Sequence, residues 1–153
     1  MQVISSNNDY ASGGKRLLAF FIDRLILHAV FSLFLFRWWW GFPFGYGFDN
    51  FDFSAFHLTF KFIEYHFIAE ALIVLYYSYM ESSKYQATLG KLALGIKVTD
   101  VRGAPIDFSK ALLRNLSKYL SAFILYIGYI MIIFDDRKQG LHDKIADTLV
   151  VNQ

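Results

Sequence analysis

The sequence contains no cysteine. Disulfides and thiolate metal sites are therefore excluded, although zinc held by histidine and carboxylate is not. Charge is also scarce: 18% of residues are Asp, Glu, Lys or Arg, against about 25% in an average soluble domain. The net charge of +2 is small, so its distribution along the chain says more than its size, and no nucleic-acid partner is expected. No cleavable signal peptide is expected. Residues 1–9 are polar, and the first apolar run is too long for a cleaved h-region. At 153 residues there is room for one domain and no separate catalytic module. A phosphate-binding loop is absent as well: Gly90-Lys91 is followed by Leu92 and lacks the earlier glycine of G-x-x-x-x-G-K-S/T.

What the chain has is apolar length. Leu17 to Phe36 reads LLAFFIDRLILHAVFSLFLF, the length of a membrane-spanning helix. A soluble helix would carry a polar face throughout; here only Asp23, Arg24, His28 and Ser32 are polar. An ionised side chain at bilayer depth costs roughly 2.5–3.5 kcal/mol on the insertion scale. Asp23 and Arg24 should therefore face a partner, a cavity or a pathway, or else pair or snorkel with no further role. Arg37 and Trp38-Trp39-Trp40 close this run as an interfacial tryptophan cluster. Residues 38–61 then read as an aromatic, acidic interfacial loop. A second span runs from Phe62 to Met80 and contains Glu64, His66 and Glu70. His66, Glu70, Tyr77 and Glu81 fall on one helical stripe. That stripe reads as an interhelical seam in preference to a metal site.

After Met80 the chain turns basic, with Lys84, Lys91, Lys97, Arg102, Lys110, Arg114 and Lys118. The positive-inside rule puts this segment and Lys15-Arg16 in the cytoplasm. Lys84, Lys91 and Lys97 are placed to meet anionic headgroups. Gly95 to Phe108 alternates around Arg102-Gly103, which predicts a short hairpin, with Pro105 at an edge or turn. Ile96–Val101 and Thr148–Val151 are rich in β-branched residues and are expected to pair as a small cytoplasmic sheet. Asp107 or Ser109 can cap a helix beginning near Lys110. Tyr119 to Phe134 is apolar but covers only about 24 Å at 1.5 Å per residue. It predicts either a re-entrant segment or, with Lys118 snorkelling, a third span over 116–134. The fold class that follows is an all-α membrane protein: two transmembrane helices, a short re-entrant or third transmembrane segment, and a small cytoplasmic β element.

Three stretches together resemble the RDD family of small bacterial membrane proteins, named for an arginine and two aspartates. Tyr10-Ala11 with Arg16-Leu17-Leu18-Ala19-Phe20-Phe21-Ile22-Asp23 is similar to the family's opening. Gln86-Ala87-Thr88-Leu89-Gly90-Lys91 with Gly95-Ile96-Lys97-Val98 is similar to its middle motif, and Arg114 with Gln139-Gly140-Leu141-His142-Asp143 and Thr148–Val151 to its close. Asp143 is taken as the second named aspartate in preference to Asp135. The resemblance covers residues 10–151, leaves 1–9 as a polar tail, and implies an integral membrane protein with a transport role.

The charge network expected from these readings comprises Arg16, Asp23, Glu70, Arg114 and Asp143, with Arg16 or Arg114 as the cation beside Asp23. Two functions compete. In the first, favoured narrowly, membrane carboxylates carry a proton or cation in a transporter subunit, which at this size requires a homo-oligomer. In the second, the protein is a non-transporting membrane adaptor whose basic segment docks anionic lipid or a protein. An enzyme is not expected: His142-Asp143 is the one tempting pair, and no nucleophile or metal triad accompanies it. No cofactor, metal or catalytic residue is assigned. The expected location is the bacterial inner membrane, multi-pass, with the N-terminus cytoplasmic.

Overall fold

The structure, a computed structural model, describes residues 10–40, 54–124 and 127–153, and side chains within residues 10–33, 66–124 and 128–153. It is mostly helical with one small sheet. The elements are α1 (Gly13–Trp40), α2 (Ser54–Ser82), α3 (Leu89–Ala93), β1 (Ile96–Asp100), α4 (Phe108–Phe123), α5 (Ile127–Phe134), α6 (Leu141–Ile145) and β2 (Thr148–Asn152). The chain forms two units. One comprises residues through Arg24 together with Val74–Gln153; the other is Leu25–Ile73. The expected spans fall on α1 and α2, but the side chains of 34–36 and 62–65 lie outside the described residues. So does the core of the expected interfacial loop, 41–53; its flanks at 38–40 and 54–61 are helical. Among the described residues no single helix is long and apolar enough to cross a membrane. The pair α4 and α5 (from Gly128) meets that test together, with a 97° bend between the two.

In the first unit β1 and β2 pair antiparallel, from Ile96 opposite Asn152 to Asp100 opposite Thr148, as their β-branched sequences predict. Two strands alone are marginal, and here both edges are occupied. Ala11 N–H donates to Val150 O at 2.9 Å on one side. On the other, Val98 N–H donates to Gln86 O at 2.7 Å, and the Gln86 side-chain amide returns a bond to Val98 O at 3.2 Å. A small apolar core of Ala11, Ala19, Ile96, Val98, Ile106, Ala111 and Val150 lies against the sheet. The hairpin expected over Gly95–Phe108 does not form. Asp100 instead folds its carboxylate over the turn and accepts from Arg102 N–H and Ala104 N–H, both at 2.8 Å. Two amides that a returning strand would have offered are thereby used up, and Pro105 has none to offer. Asp107 caps α4, accepting from Lys110 N–H at 2.7 Å.

The helices of this unit are polar inside and apolar outside. On α4 the buried face is Ala111, Arg114, Asn115, Ser117 and Ser121. Its opposite face exposes Leu113, Leu116, Leu120 and Phe123. On α1, Leu17, Leu18 and Phe21 are exposed while Ala19 and Asp23 are buried; on α2, Leu75 and Tyr79 are exposed while Ser78 and Glu81 are buried. In the second unit Leu25, Val30, Leu33, Phe67 and Leu72 are exposed. A water-soluble helix has the reverse arrangement.

Candidate functional site

Five side chains from five helices form one buried chain of charge. Arg16 near the start of α1 donates from Nη1 to Asp143 Oδ2 at 2.6 Å. Asp143, in α6, accepts on Oδ1 from Arg114 Nε at 2.8 Å. Arg114 extends its Nη1 to Glu81 Oε2 at the end of α2, also at 2.8 Å. Glu81 Oε1 accepts from Lys91 Nζ of α3. Asn115, one residue beyond Arg114, donates to Glu81 Oε2 at 3.1 Å and to Ser78 Oγ at 3.3 Å. Lys118 Nζ donates to Asn115 Oδ1 at 2.6 Å, stands 4.0 Å from Glu81 Oε1 and lies over the Tyr77 ring at 4.7 Å. Glu81 and Asp143 are wholly buried.

Local sequence explains how each residue arrives. Arg16 sits one turn into α1, where its guanidinium also reaches the carbonyls of Ala11 (3.2 Å) and Val150 (3.5 Å). It thereby stitches the N-terminal segment to β2. Asp143 accepts from Gly140 N–H at 3.0 Å as well, so it closes the first turn of α6 while it binds two arginines. Burial alone would raise the pKa of Asp143; Arg114 and Arg16 outweigh it and hold the carboxyl far below the usual carboxylate range. Burial acts the same way on Glu81, and Arg114, Lys91 and Lys118 overcome it. Both groups are therefore fixed as anions, and Arg114 is fixed as a cation by the two of them.

Asp23 is buried, as its position predicts, but its partners are neutral. Oδ2 accepts from the Thr88 hydroxyl at 2.5 Å, and Oδ1 accepts from Gly90 N–H at 2.7 Å. Arg16 and Arg114, expected beside it, are both bound to Asp143 instead. Asp23 thus holds the start of α3, whose first amide, Leu89 N–H, donates to Tyr76 Oη at 3.3 Å. Gly90 permits this approach: a Cβ there would lie 2.2 Å from the Ala19 carbonyl oxygen and 2.9 Å from Asp23 Cγ. The middle motif is therefore a clip onto α1. Lys91 does not face headgroups as expected. It is 7% exposed because a buried Glu81 requires a cation.

Ser121, His142 and Asp143 line up in the order a hydrolase would use, and the bonds between them are wrong for it. Ser121 Oγ is wholly buried and already donates to Ser117 O at 3.1 Å. It is 3.4 Å from His142 Nδ1, and His142 Nε2 is 3.6 Å from Asp143 Oδ1. The cluster packs tightly: a Cβ on Gly128 would meet Ser121 Cβ at 2.7 Å. Burial lowers the His142 pKa from 6.5 to about 3, against the pull of Asp143, so the imidazole is neutral. His142 is protonated in the unfolded chain below about pH 6.5 and not in the folded one, so stability present above that pH is lost as pH falls toward 3. With 1.36 kcal/mol per pKa unit, the loss should reach about 2 kcal/mol between pH 7 and pH 5. Unfolding of the detergent-solubilised protein across pH, alongside His142→Gln, measures it; the variant should be flat over that range.

Of the five residues expected to form a network, three are joined: Arg16, Arg114 and Asp143. Asp23 forms its own contact, and Glu70 belongs to the other unit, on α2. Asp135 lies in a half-exposed turn, accepting from Arg137 and Gln139 amides and pairing with Lys144 at 2.5 Å. The hub that the charge reading left out is Glu81. Its signal was its place on the α2 stripe with Tyr77, which is also buried, whereas His66 on the same stripe is exposed. Among the described residues no cluster of three or more acidic and histidine side chains could hold a metal.

Comparison with known proteins finds relatives over most of the chain. The chain is 36% identical over 141 residues to the Bacillus subtilis protein YxaI, described as uncharacterized, a match covering 89% of this chain and 93% of that one. It is 28% identical over 146 residues to YteJ of the same organism, described as an uncharacterized membrane protein, covering 94% and 82%. A Mycobacterium tuberculosis protein described as a proline-rich antigen homolog is 32% identical over 82 residues, which is 53% of this chain and 34% of that protein. No solved structure matches the chain. The RDD family model matches residues 10–147, which include Arg16, Asp23, Arg114 and Asp143, and the chain belongs to the RDD family.

Proposed function

We propose that the protein is a non-enzymatic, non-transporting adaptor embedded in the bacterial inner membrane. In this reading α1 and α2 cross the bilayer, and the charge-locked unit fastens their cytoplasmic ends and presents the basic segment. The observation that carries it is the inverted packing of the first unit, with ionised side chains inside and leucine and phenylalanine outside. Such a distribution is stable where the surroundings are hydrocarbon. A relative named as a membrane protein supports the same location.

The locked carboxylates favour an adaptor over an exchanger that works through carboxyl groups, while burial lowers the pKa of Lys118 in the same network to about 7. A carrier that works through a carboxyl group needs one that changes state near neutral pH. Glu81 is held ionised chiefly by Arg114 and Lys91, Asp143 by Arg114 and Arg16, and the two oxygens of Asp23 are engaged by a hydroxyl and an amide. The exposed Lys84 on the basic segment is available to anionic lipid or to a protein partner. Reconstituted in liposomes between roughly pH 6 and pH 9, the protein should pass protons, Na⁺, K⁺ and chloride no faster than empty vesicles. A protein-dependent flux of any of them would overturn the adaptor reading.

A further inference from the structure

We infer that α4 and α5 form a wedge that enters one leaflet only, from the side that holds the sheet, and that acyl chains of that leaflet cover its outer face. The inference rests on the membrane location proposed above. Both ends of the segment are tied to the same place. Its entry follows β1 through the Asp100 turn, and its exit leads through α6 into β2, which is hydrogen-bonded to β1 along its whole length. A chain whose two ends meet in one sheet returns to the side it left. Neither helix can cross alone: at 1.5 Å per residue, 16 and 8 residues cover about 24 Å and 12 Å of a hydrocarbon core of about 30 Å. The two are bent by 97°, which suits a segment that turns inside a leaflet.

The outer face identifies its occupant. Leu113, Leu116, Leu120 and Phe123 on α4, and Ile133 and Phe134 on α5, are exposed, with Phe123 at 86% and Phe134 at 81%. The opposite face of α4 has its polar groups engaged with Glu81, Asp143 and one another. Apart from the Tyr119 hydroxyl the exposed face is apolar, and lipid matches it along its length. Lys110 at the entrance and Arg137 beyond the exit supply cations where anionic headgroups would lie. A segment of this shape occupies area in one leaflet and not the other.

The natural absence of cysteine makes the test direct. Single cysteines at Leu113, Leu120, Phe123 and Phe134 are labelled with an environment-sensitive fluorophore. The proteins are reconstituted in phosphatidylcholine–phosphatidylglycerol vesicles containing lipids spin-labelled at shallow or deep chain positions. Each label should lose most of its fluorescence to lipid quenchers, with the deep quencher gaining on the shallow one from Leu113 to Phe123. Lys110→Cys and Arg137→Cys should react with an impermeant thiol reagent from the same side as Asn152→Cys. Reaction of Arg137→Cys from the opposite side would mean a full crossing and overturn the wedge. A label at Phe123 that lipid does not quench would mean protein covers the face, which also overturns it. Leu25→Cys on α1 separates the two levels of argument: if it is quenched and Phe123 is not, only the wedge fails; if neither is quenched, the membrane reading fails with it.

Discussion

Replacing Arg114 by leucine should cost the folded protein about 3–5 kcal/mol, the usual cost of breaking a buried ion pair. Leucine fills much of the space but leaves two desolvated carboxylates short of a cation at once. Arg114 is 2% exposed and supplies Nε to Asp143 and Nη1 to Glu81, each at 2.8 Å. Lysine should not rescue it. A single ammonium cannot reach both carboxylates in the geometry of a planar fork, so Arg114→Lys should still lose about 1.5–3 kcal/mol, the worth of a hydrogen bond to a charged group. Denaturant unfolding in detergent micelles at neutral pH reads both values. The difference between wild type and Arg114→Leu should shrink as pH falls toward about 4. Stranded and buried, Glu81 and Asp143 titrate upward and can take protons, which relieves the variant and not the wild type. A loss below about 1 kcal/mol for Arg114→Leu would mean that the network does not hold the helices together.

The sequence exposed some of this arrangement and hid the rest for physical reasons. The sheet was legible because Ile96–Val101 and Thr148–Val151 are β-branched and each too short to stand alone. Arg16, Arg114 and Asp143 were legible through the family resemblance. The pairing of Asp23 was not, because a rule based on the cost of buried charge looks for a cation. A carboxylate can also be satisfied by a hydroxyl and a backbone amide, and backbone donors leave no trace in sequence. Glu81 was overlooked as a hub because it lies at the end of an apolar run, where a charge reads as an exit to water. The hairpin misreading came from alternation alone; the deciding contact was the side chain of Asp100 over its own turn. Inverted packing on α4 could not be read from the pattern, since an amphipathic helix has the same period whichever face is buried.

The two aspartates expected from the family's name should respond differently to the same change. Asp143→Asn should lose about 3–5 kcal/mol. Three donors converge on that carboxylate: Arg16 at 2.6 Å, Arg114 at 2.8 Å and Gly140 N–H at 3.0 Å. An amide keeps one acceptor oxygen and turns an NH₂ group toward a guanidinium, so one arginine loses its partner and meets a donor. Asp23→Asn should lose only about 1 kcal/mol, because its partners can adapt. The amide oxygen keeps the bond from Gly90 N–H, and the Thr88 hydroxyl can rotate to accept from the new NH₂. A loss above about 3 kcal/mol for Asp23→Asn would mean that its charge balances a buried cation, and the account of neutral partners would be wrong. The same variant bears on function. If the wild type carries an ion and a stable Asp23→Asn does not, the charge at Asp23 moves the ion and the adaptor proposal fails. If both are silent in liposomes and differ little in stability, Asp23 serves to clip α3 onto α1, a task that needs acceptors more than charge.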